Sequence, residues 1–274
     1  MRCAVLAYHS QNISGNDYRS NDHAALREDL HLLSTLGRRL VSLRTVVDAL
    51  DSRIPPQAVD GCITVTCDDG TSFDWYDQKH PYQGMQRSFA NVIKDYASLG
   101  GFPTPALTAF VIASPVARAE IDRGCYEGNP YNNDSWWPEA AKSGRIAIEN
   151  HSWDHTHVFV TTIAQREQRK GTFLGVETWE DADAQIRQAA DFIDARVAPQ
   201  RTTLFAYPYG EASDYLVNEY FPHFHSQHRV RAAFTTEPEI LTQDSCRWLL
   251  PRFVCGAAWC SPQDLERLLK PLLR

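Results

Sequence analysis

The chain has 274 residues, 43% hydrophobic and 22% charged, enough apolar material for a sizeable core, and residues 1–274 read as a single domain. Its net charge is −7 with no Lys/Arg block, which argues against nucleic acid or an anionic membrane surface as partner. No stretch approaches the roughly 20 apolar residues of a membrane span, and residues 1–9 read as a first strand rather than a leader, so a cytoplasmic protein is expected.

Strand-like runs recur with helical patterns between them. After the strand at 3–9 comes an amphipathic helix over 22–36, with Leu26, Leu30, Leu33 and Leu36 at helical spacing and Gly37 closing it. A short apolar run at 40–43 precedes a helix over 44–50, and the strand at 62–67 delivers an acidic pair. A helix over 88–99 stops at Gly100-Gly101, and a strand over 106–113 runs into Ser114-Pro115. A short helix after Asp134 ends near Gly144, and the strand at 145–149 delivers Asn150 and His151. A long helix spans 178–197, with Asp181 and Asp183 in its first turns, where the helix dipole favours them. A strand over 203–207, a helix over 213–221, strands over 231–236 and 248–254 and a closing helix over 262–272 complete the pattern. Such alternation argues for an α/β fold with a mainly parallel sheet, closable as a barrel.

The stretches 73–87 and 118–133 read as polar loops beside the motifs. Tyr76, Tyr82, Tyr126, Tyr131, Trp136 and Trp137 either line a cleft there or pack among themselves. The seven cysteines are odd in number and lack CxxC spacing, which fits reduced thiols.

Two strings carry the chemistry. Thr66-Cys67-Asp68-Asp69-Gly70 places two carboxylates at the end of an apolar run, and His151-Ser152-Trp153-Asp154-His155 spaces two imidazoles by four residues. On a helical turn that spacing faces both rings the same way. One carboxylate oxygen with two imidazole nitrogens suits a zinc-like divalent ion and leaves an open position, while the second carboxylate is free to serve as a base. Taken alone, Asp-Asp-Gly is a common turn and a His pair is common surface decoration. Together, both placed after strands, they indicate a metal-dependent hydrolase.

Thr66-Cys67-Asp68-Asp69-Gly70 resembles the first motif of the polysaccharide deacetylases (the NodB-homology group), usually Thr-Phe-Asp-Asp-Gly. His151-Ser152-Trp153-Asp154-His155 is similar to their second motif, His-Ser/Thr-x-x-His. Phe205-Ala206-Tyr207-Pro208-Tyr209-Gly210 stands where Arg-x-Pro-Tyr-Gly is expected. The resemblance implies a distorted (β/α) barrel of about seven strands. It implies Asp68 as catalytic base and Asp69, His151 and His155 as ligands of a divalent metal, zinc first, with cobalt, nickel, manganese or iron as alternatives. It also implies the Tyr209 backbone N–H as oxyanion donor. The implied reaction is removal of an acetyl or other N-acyl group from an N-acetylated sugar or sugar polymer. The alternatives are hydrolysis of another non-peptide C–N bond, in a small amide or imide or other small N-acylated substrate, and a metal-containing carbohydrate-binding protein without turnover. Tyr8-His9 together with the third motif looks like the subfamily acting on poly-N-acetylglucosamine.

The chain departs from the family pattern twice. Ala206 replaces the third-motif Arg, and Arg252 either stands in for it or is an ordinary surface residue. The late Leu-x-His motif that supplies the general acid is missing. His9, at the end of the first strand, is the candidate acid, with a hydrogen-bonded structural histidine as the alternative. His223, His225 and His228 read as loop residues, and His157 replaces His155 only if a helix starts late.

Overall fold

In a computed structural model that describes residues 1–100 and 107–273, strands and helices alternate as the apolar pattern demands. Gly101 and Ala106, at the edges of an expected helix and strand, lie outside the described residues. The strands are β1 (Arg2–Tyr8), β2 (Cys62–Cys67), β3 (Gln78–His80), β4 (Gly84–Gln86), β5 (Leu107–Val111), β6 (Ile146–Asn150), β7 (Leu204–Ala206), β8 (Ala232–Phe234), β9 (Leu241–Thr242) and β10 (Phe253–Val254). The helices are α1 (Asp22–Thr35), α2 (Leu43–Leu50), α3 (Phe89–Gly100), α4 (Pro115–Cys125), α5 (Trp137–Ser143), α6 (Trp179–Ala182), α7 (Gln188–Val197), α8 (Phe221–His223), α9 (His225–His228) and α10 (Pro262–Leu269).

The main sheet runs β10-β1-β2-β5-β6-β7-β8, parallel at each pairing along that path, with β9 antiparallel on β1. It is a curled, distorted (β/α) barrel. The period-2 alternation of β1 decides which side chains go where. Cys3 and Val5 join Phe110 and Phe234 in the interior, whereas Ala4, Leu6 and Tyr8 pack outward against Leu26 and Leu30 of α1, Phe89 of α3 and Leu265 of α10. Leu43, Val46 and Val47 of α2 enter the interior cluster beside Cys3, Cys62, Leu204 and Ala232, residues at strand N-terminal ends, so α2 closes that mouth. The opposite mouth is left for the loops that carry the motifs.

Several expectations are corrected. The run 248–254 is not one strand: Leu250 bridges Phe234 of β8, and Phe253 and Val254 then pair with Leu6 and Ala7 of β1. Pro251, which has no N–H to give a ladder, marks the switch from one neighbour to the other. The stretch 118–133 is helical as far as Cys125, because Ser114 caps the Ala117 N–H and Pro115 occupies the first turn of α4, a start signal rather than a strand end. The stretch 73–87 contains the β3–β4 hairpin. The long helix is continuous from α6 to α7 but passes through a π-helical turn, Asp183–Arg187. Trp136 and Trp137 are fully buried in the outer core and line no cleft. His223, His225 and His228 lie on the helical turns α8 and α9, and His228 is buried with Nε2 3.1 Å from the Phe221 carbonyl. All seven cysteines are free thiols. No helix among the described residues is long and apolar enough to cross a membrane.

Candidate active site

The register of the parallel strands sets the site. Tyr8 is level with Cys67, Cys67 with Ala109, Ala109 with Ile148, and Asn150 with Phe205. His9, Asp68 and His151, each one residue beyond its strand, therefore emerge on one rim, where parallel α/β folds build their sites.

Adjacent carboxylates in an extended chain would diverge, so the backbone must turn between them. Asp69 takes φ 72° and Gly70 φ 77°. A Cβ on Gly70 would lie 2.5 Å from Val111 Cγ1, so the turn presses against β5 and only glycine fits there. Asp68 stays buried while Asp69 swings into the open site.

The two imidazoles converge without a helix, contrary to the helical-turn expectation. Residues 151–156 form an irregular loop with left-handed backbone at Ser152, His155 and Thr156. Buried polar groups hold that loop. The Asp154 carboxylate accepts from Thr156 N (2.9 Å), Ala164 N (2.5 Å) and Gln185 Nε2 (2.7 Å). Gln185 Oε1 in turn accepts from Trp153 N at 3.2 Å. Gln185 sits on the π turn, so the local widening of the long helix brings its amide to the loop.

Asp69 Oδ1 lies 3.6 Å from Nε2 of both His151 and His155, and the three donors fall within 4.8 Å of one another. Bonds of roughly 2.0–2.2 Å to a tetrahedral ion would hold neighbouring donors about 3.4 Å apart, so this donor set fits a divalent metal. The tautomer agrees. His151 Nδ1 is 2.8 Å from the Ala206 carbonyl, which only an N–H can satisfy, so Nε2 is the nitrogen left to face the other two donors. Burial and the neighbouring His151 ring press the His155 pKa down to about 3, leaving a neutral ligand at pH 7. His157 is no part of this triad; its Nε2 faces Cys125 Sγ at 4.0 Å.

Arg252 is not a surface residue. It is fully buried in the barrel, its Nη1 and Nη2 donating to Asp68 Oδ1 (2.7 Å) and Oδ2 (2.8 Å) and its Nε to the Thr235 carbonyl (3.0 Å). Burial would raise the Asp68 pKa; the guanidinium overrides it and holds the carboxyl well below the usual range. Arg252 thus brings an arginine to Asp68, which Ala206 cannot do, from the point where the chain switches from β8 to β1.

Gln185 is one residue that sequence reasoning missed, and another touches Asp69 itself. Gln11, three positions past β1, donates its amide to Asp69 Oδ2, leaving Oδ1 to face the imidazoles. No local pattern marks a glutamine in a loop, and only the fold brings it to Asp69. His9 stands on the same rim, with its Nδ1 buried and unpartnered and its backbone N–H donating to Asp22 Oδ2 at 2.8 Å. Tyr209 takes φ 60°, in a turn so tight that a Cβ on Gly210 would meet Thr236 Oγ1 at 2.0 Å, and its ring lies 4.5 Å from the His155 ring.

The family model for polysaccharide deacetylases matches residues 58–221, well over half of the chain. The chain belongs to the polysaccharide deacetylase family. A search of curated proteins finds no match. Among solved structures, this family member resembles the Streptococcus pyogenes deacetylase PplD in complex with acetate, at 18% identity and TM-score 0.62 over 99% of each chain. It also resembles IcaB from Ammonifex degensii, at 18% identity and TM-score 0.63 over 98% of this chain and 97% of that one. A de-N-acetylase from Aggregatibacter actinomycetemcomitans aligns at 15% identity and TM-score 0.60, over 98% of this chain and 100% of that one. At such identities the likeness establishes the fold.

Proposed function

We propose that this polysaccharide deacetylase family member is a metal-dependent hydrolase that removes the acetyl group from an N-acetylated sugar or sugar polymer. The observation that carries the reading is the Asp69–His151–His155 donor set beside a separate carboxylate, Asp68, that stands outside that set and is held by Arg252. A site that only stored a metal would not need that second carboxylate, which argues against a binding protein without turnover.

Asp69, His151 and His155 would hold a divalent ion, zinc first and cobalt, nickel, manganese or iron as alternatives, which when bound would supply Lewis acidity for amide hydrolysis. Asp68 takes the proton of the water as its oxygen adds to the carbonyl carbon. The Tyr209 N–H, fixed by the turn at Tyr209-Gly210, is assigned to the developing oxyanion. As the C–N bond breaks, His9 gives a proton to the leaving amine, and acetate and the free amino sugar result.

The test is metal content of the purified protein together with acetate release from N-acetylglucosamine oligomers, with and without added zinc or cobalt. Metal-dependent release supports the reading. Bound metal without release favours another C–N substrate or a binding protein, and no metal uptake overturns the site.

A further inference from the structure

His23 is a buried histidine whose surroundings ask for a charge. It sits in the first turn of α1, only 4% exposed, where Asn21 caps the helix by accepting the His23 N–H at 2.8 Å. Its Nε2 is 2.8 Å from the Ser10 carbonyl, and its Nδ1 is 2.7 Å from the carbonyl of Arg87, just past β4. A carbonyl only accepts, and a neutral imidazole has one N–H to give. Both bonds are therefore made at once only by the imidazolium. The rings of Phe73 and Phe89 pack against it, their centroids 5.8 and 4.7 Å away.

The clasp reaches the active-site rim. The Ser10 carbonyl belongs to the rigid peptide plane that leads into Gln11, whose amide holds Asp69 Oδ2. On the other side of Ser10, Asp22 accepts the His9 N–H at 2.8 Å. Two consecutive residues of α1 thus grip the segment that carries His9 and Gln11. Ser10 Oγ, 2.7 Å from Thr71 Oγ1, ties the same segment to the turn that follows Asp69 and Gly70.

Burial presses the His23 pKa below the ordinary histidine range, against the pull of the two carbonyls and of the Asp77 carboxylate. The other charges of the neighbouring elements have partners of their own. Asp22 takes the His9 N–H, and the Arg87 guanidinium binds Asp77 at 2.9 Å and Asp95 at 2.8 Å. Asp74, buried beside Ser10, has its pKa pushed up to about 7 by burial and is neutral in acid. The ring therefore gives up its second proton readily as pH rises, and the neutral ring turns a lone pair on one of the two carbonyls.

We propose that His23 is a positioning residue for the active site. As an imidazolium it fixes the Ser10 carbonyl and, through it, the aim of Gln11 and His9; with one ring proton gone, the segment slackens. The roles of His9 and of the metal donors rest on the deacetylase reading above, but the two-carbonyl clasp does not.

Two measurements test the clasp and its reach. The first is ring-nitrogen NMR of the wild-type protein labelled at histidine, from pH 4.5 to 8, with His23 assigned through its contacts to Phe73 and Phe89. Protons on both nitrogens at the acid end, with one lost as the pH rises, are expected. A bare nitrogen at every pH overturns the clasp, and this reading needs no variant that folds. The second compares His23→Gln, which cannot titrate, with the wild type for metal affinity by chelator competition and for kcat on N-acetylglucosamine oligomers. Both should fall about tenfold at pH 5.5 with KM unchanged, the scale of a small displacement of positioned groups. The gap should narrow toward pH 8, where the wild-type ring is itself neutral. A gap that stays constant with pH would make His23 structural only and overturn the proposal. A pH-dependent gap in metal affinity, with no acetate released by either protein, supports the clasp and counts against the deacetylase reading instead.

Discussion

Arg252 holds Asp68 by a two-point fork, 2.7 and 2.8 Å, between two side chains that solvent barely reaches, 184 residues apart in the chain. The pair couples Asp68 to the barrel frame, because the same guanidinium also ties the Thr235 carbonyl after β8. Breaking one half leaves a buried charge alone.

Arg252→Met should therefore cost stability on the order of 3–5 kcal/mol in metal-free protein at pH 7. Arg252→Lys keeps the charge but not the fork, and should fall between. The depressed Asp68 pKa works in a known direction: its contribution is present above the ordinary carboxylate range and is lost as pH falls toward its folded value. Losing Arg252 lets burial raise that pKa, so the destabilisation should extend to higher pH. Urea melts at pH 5 and 7 decide it, and a Met variant as stable as the wild type at both would remove the pair from the core.

Gln11 offers a cleaner test of metal positioning, since it touches Asp69 and not the reacting groups. Gln11→Ala frees Asp69 Oδ2 and lets the carboxylate rotate away from the imidazoles. Outer partners of this kind typically carry 10–100-fold in metal affinity. Competition with a chelator should show a loss of that size with an unchanged circular dichroism spectrum. Unchanged affinity would mean that the loop alone aims Asp69.

The strings that hold the donors were legible in the sequence because each sits one step past a buried strand, and burial writes strands plainly. Arg252 was legible only as a candidate: whether an arginine near a late strand points inward depends on the change of neighbour at Pro251, which no local period reveals. The His151–His155 spacing was read correctly for convergence and wrongly for geometry. Four-residue spacing suggests a helical turn, but left-handed residues at Ser152 and His155, fastened by Asp154 and Gln185, reach the same end. Gln185 lies 31 residues from Asp154, so that fastening is invisible before folding. The start of α4 is hard to read because Ser114-Pro115 follows the strand directly, and the same pair that ends one element caps the next.

The division of labour between Asp68 and His9 separates by two readouts. Asp68→Asn should keep full metal occupancy and lose turnover by at least about a hundredfold, since an amide accepts no proton. His9→Ala should also keep the metal and lower kcat, but it should recover on substrates whose leaving group needs no protonation, such as an activated acetate ester. No recovery on the ester, with loss of thermal stability, would make His9 a structural residue. A near wild-type rate in Asp68→Asn would remove Asp68 from the role of base.

Asp29 yields a pH prediction away from the site. Its buried carboxylate accepts from Tyr8 Oη (2.9 Å), Tyr18 Oη (2.5 Å) and Trp259 Nε1 (3.0 Å), joining β1, α1 and the segment before α10. Burial pushes its pKa up to about 6 despite those three donors. A carboxyl raised on folding binds more protons folded than unfolded between about pH 4 and 6, so it destabilises progressively as pH rises through that window. The full effect is on the order of 2–3 kcal/mol for a pKa moved from about 4 to about 6. The amide introduced by Asp29→Asn does not titrate. The cost of that substitution, set by the amide's poorer match to three donors, should therefore be largest near pH 4 and shrink by that amount toward pH 7. The histidines that titrate in the same range are common to both proteins and cancel in the difference. Paired urea titrations at pH 4, 5, 6 and 7 test it, and a cost that stays flat across the series would mean that Asp29 is ionised throughout.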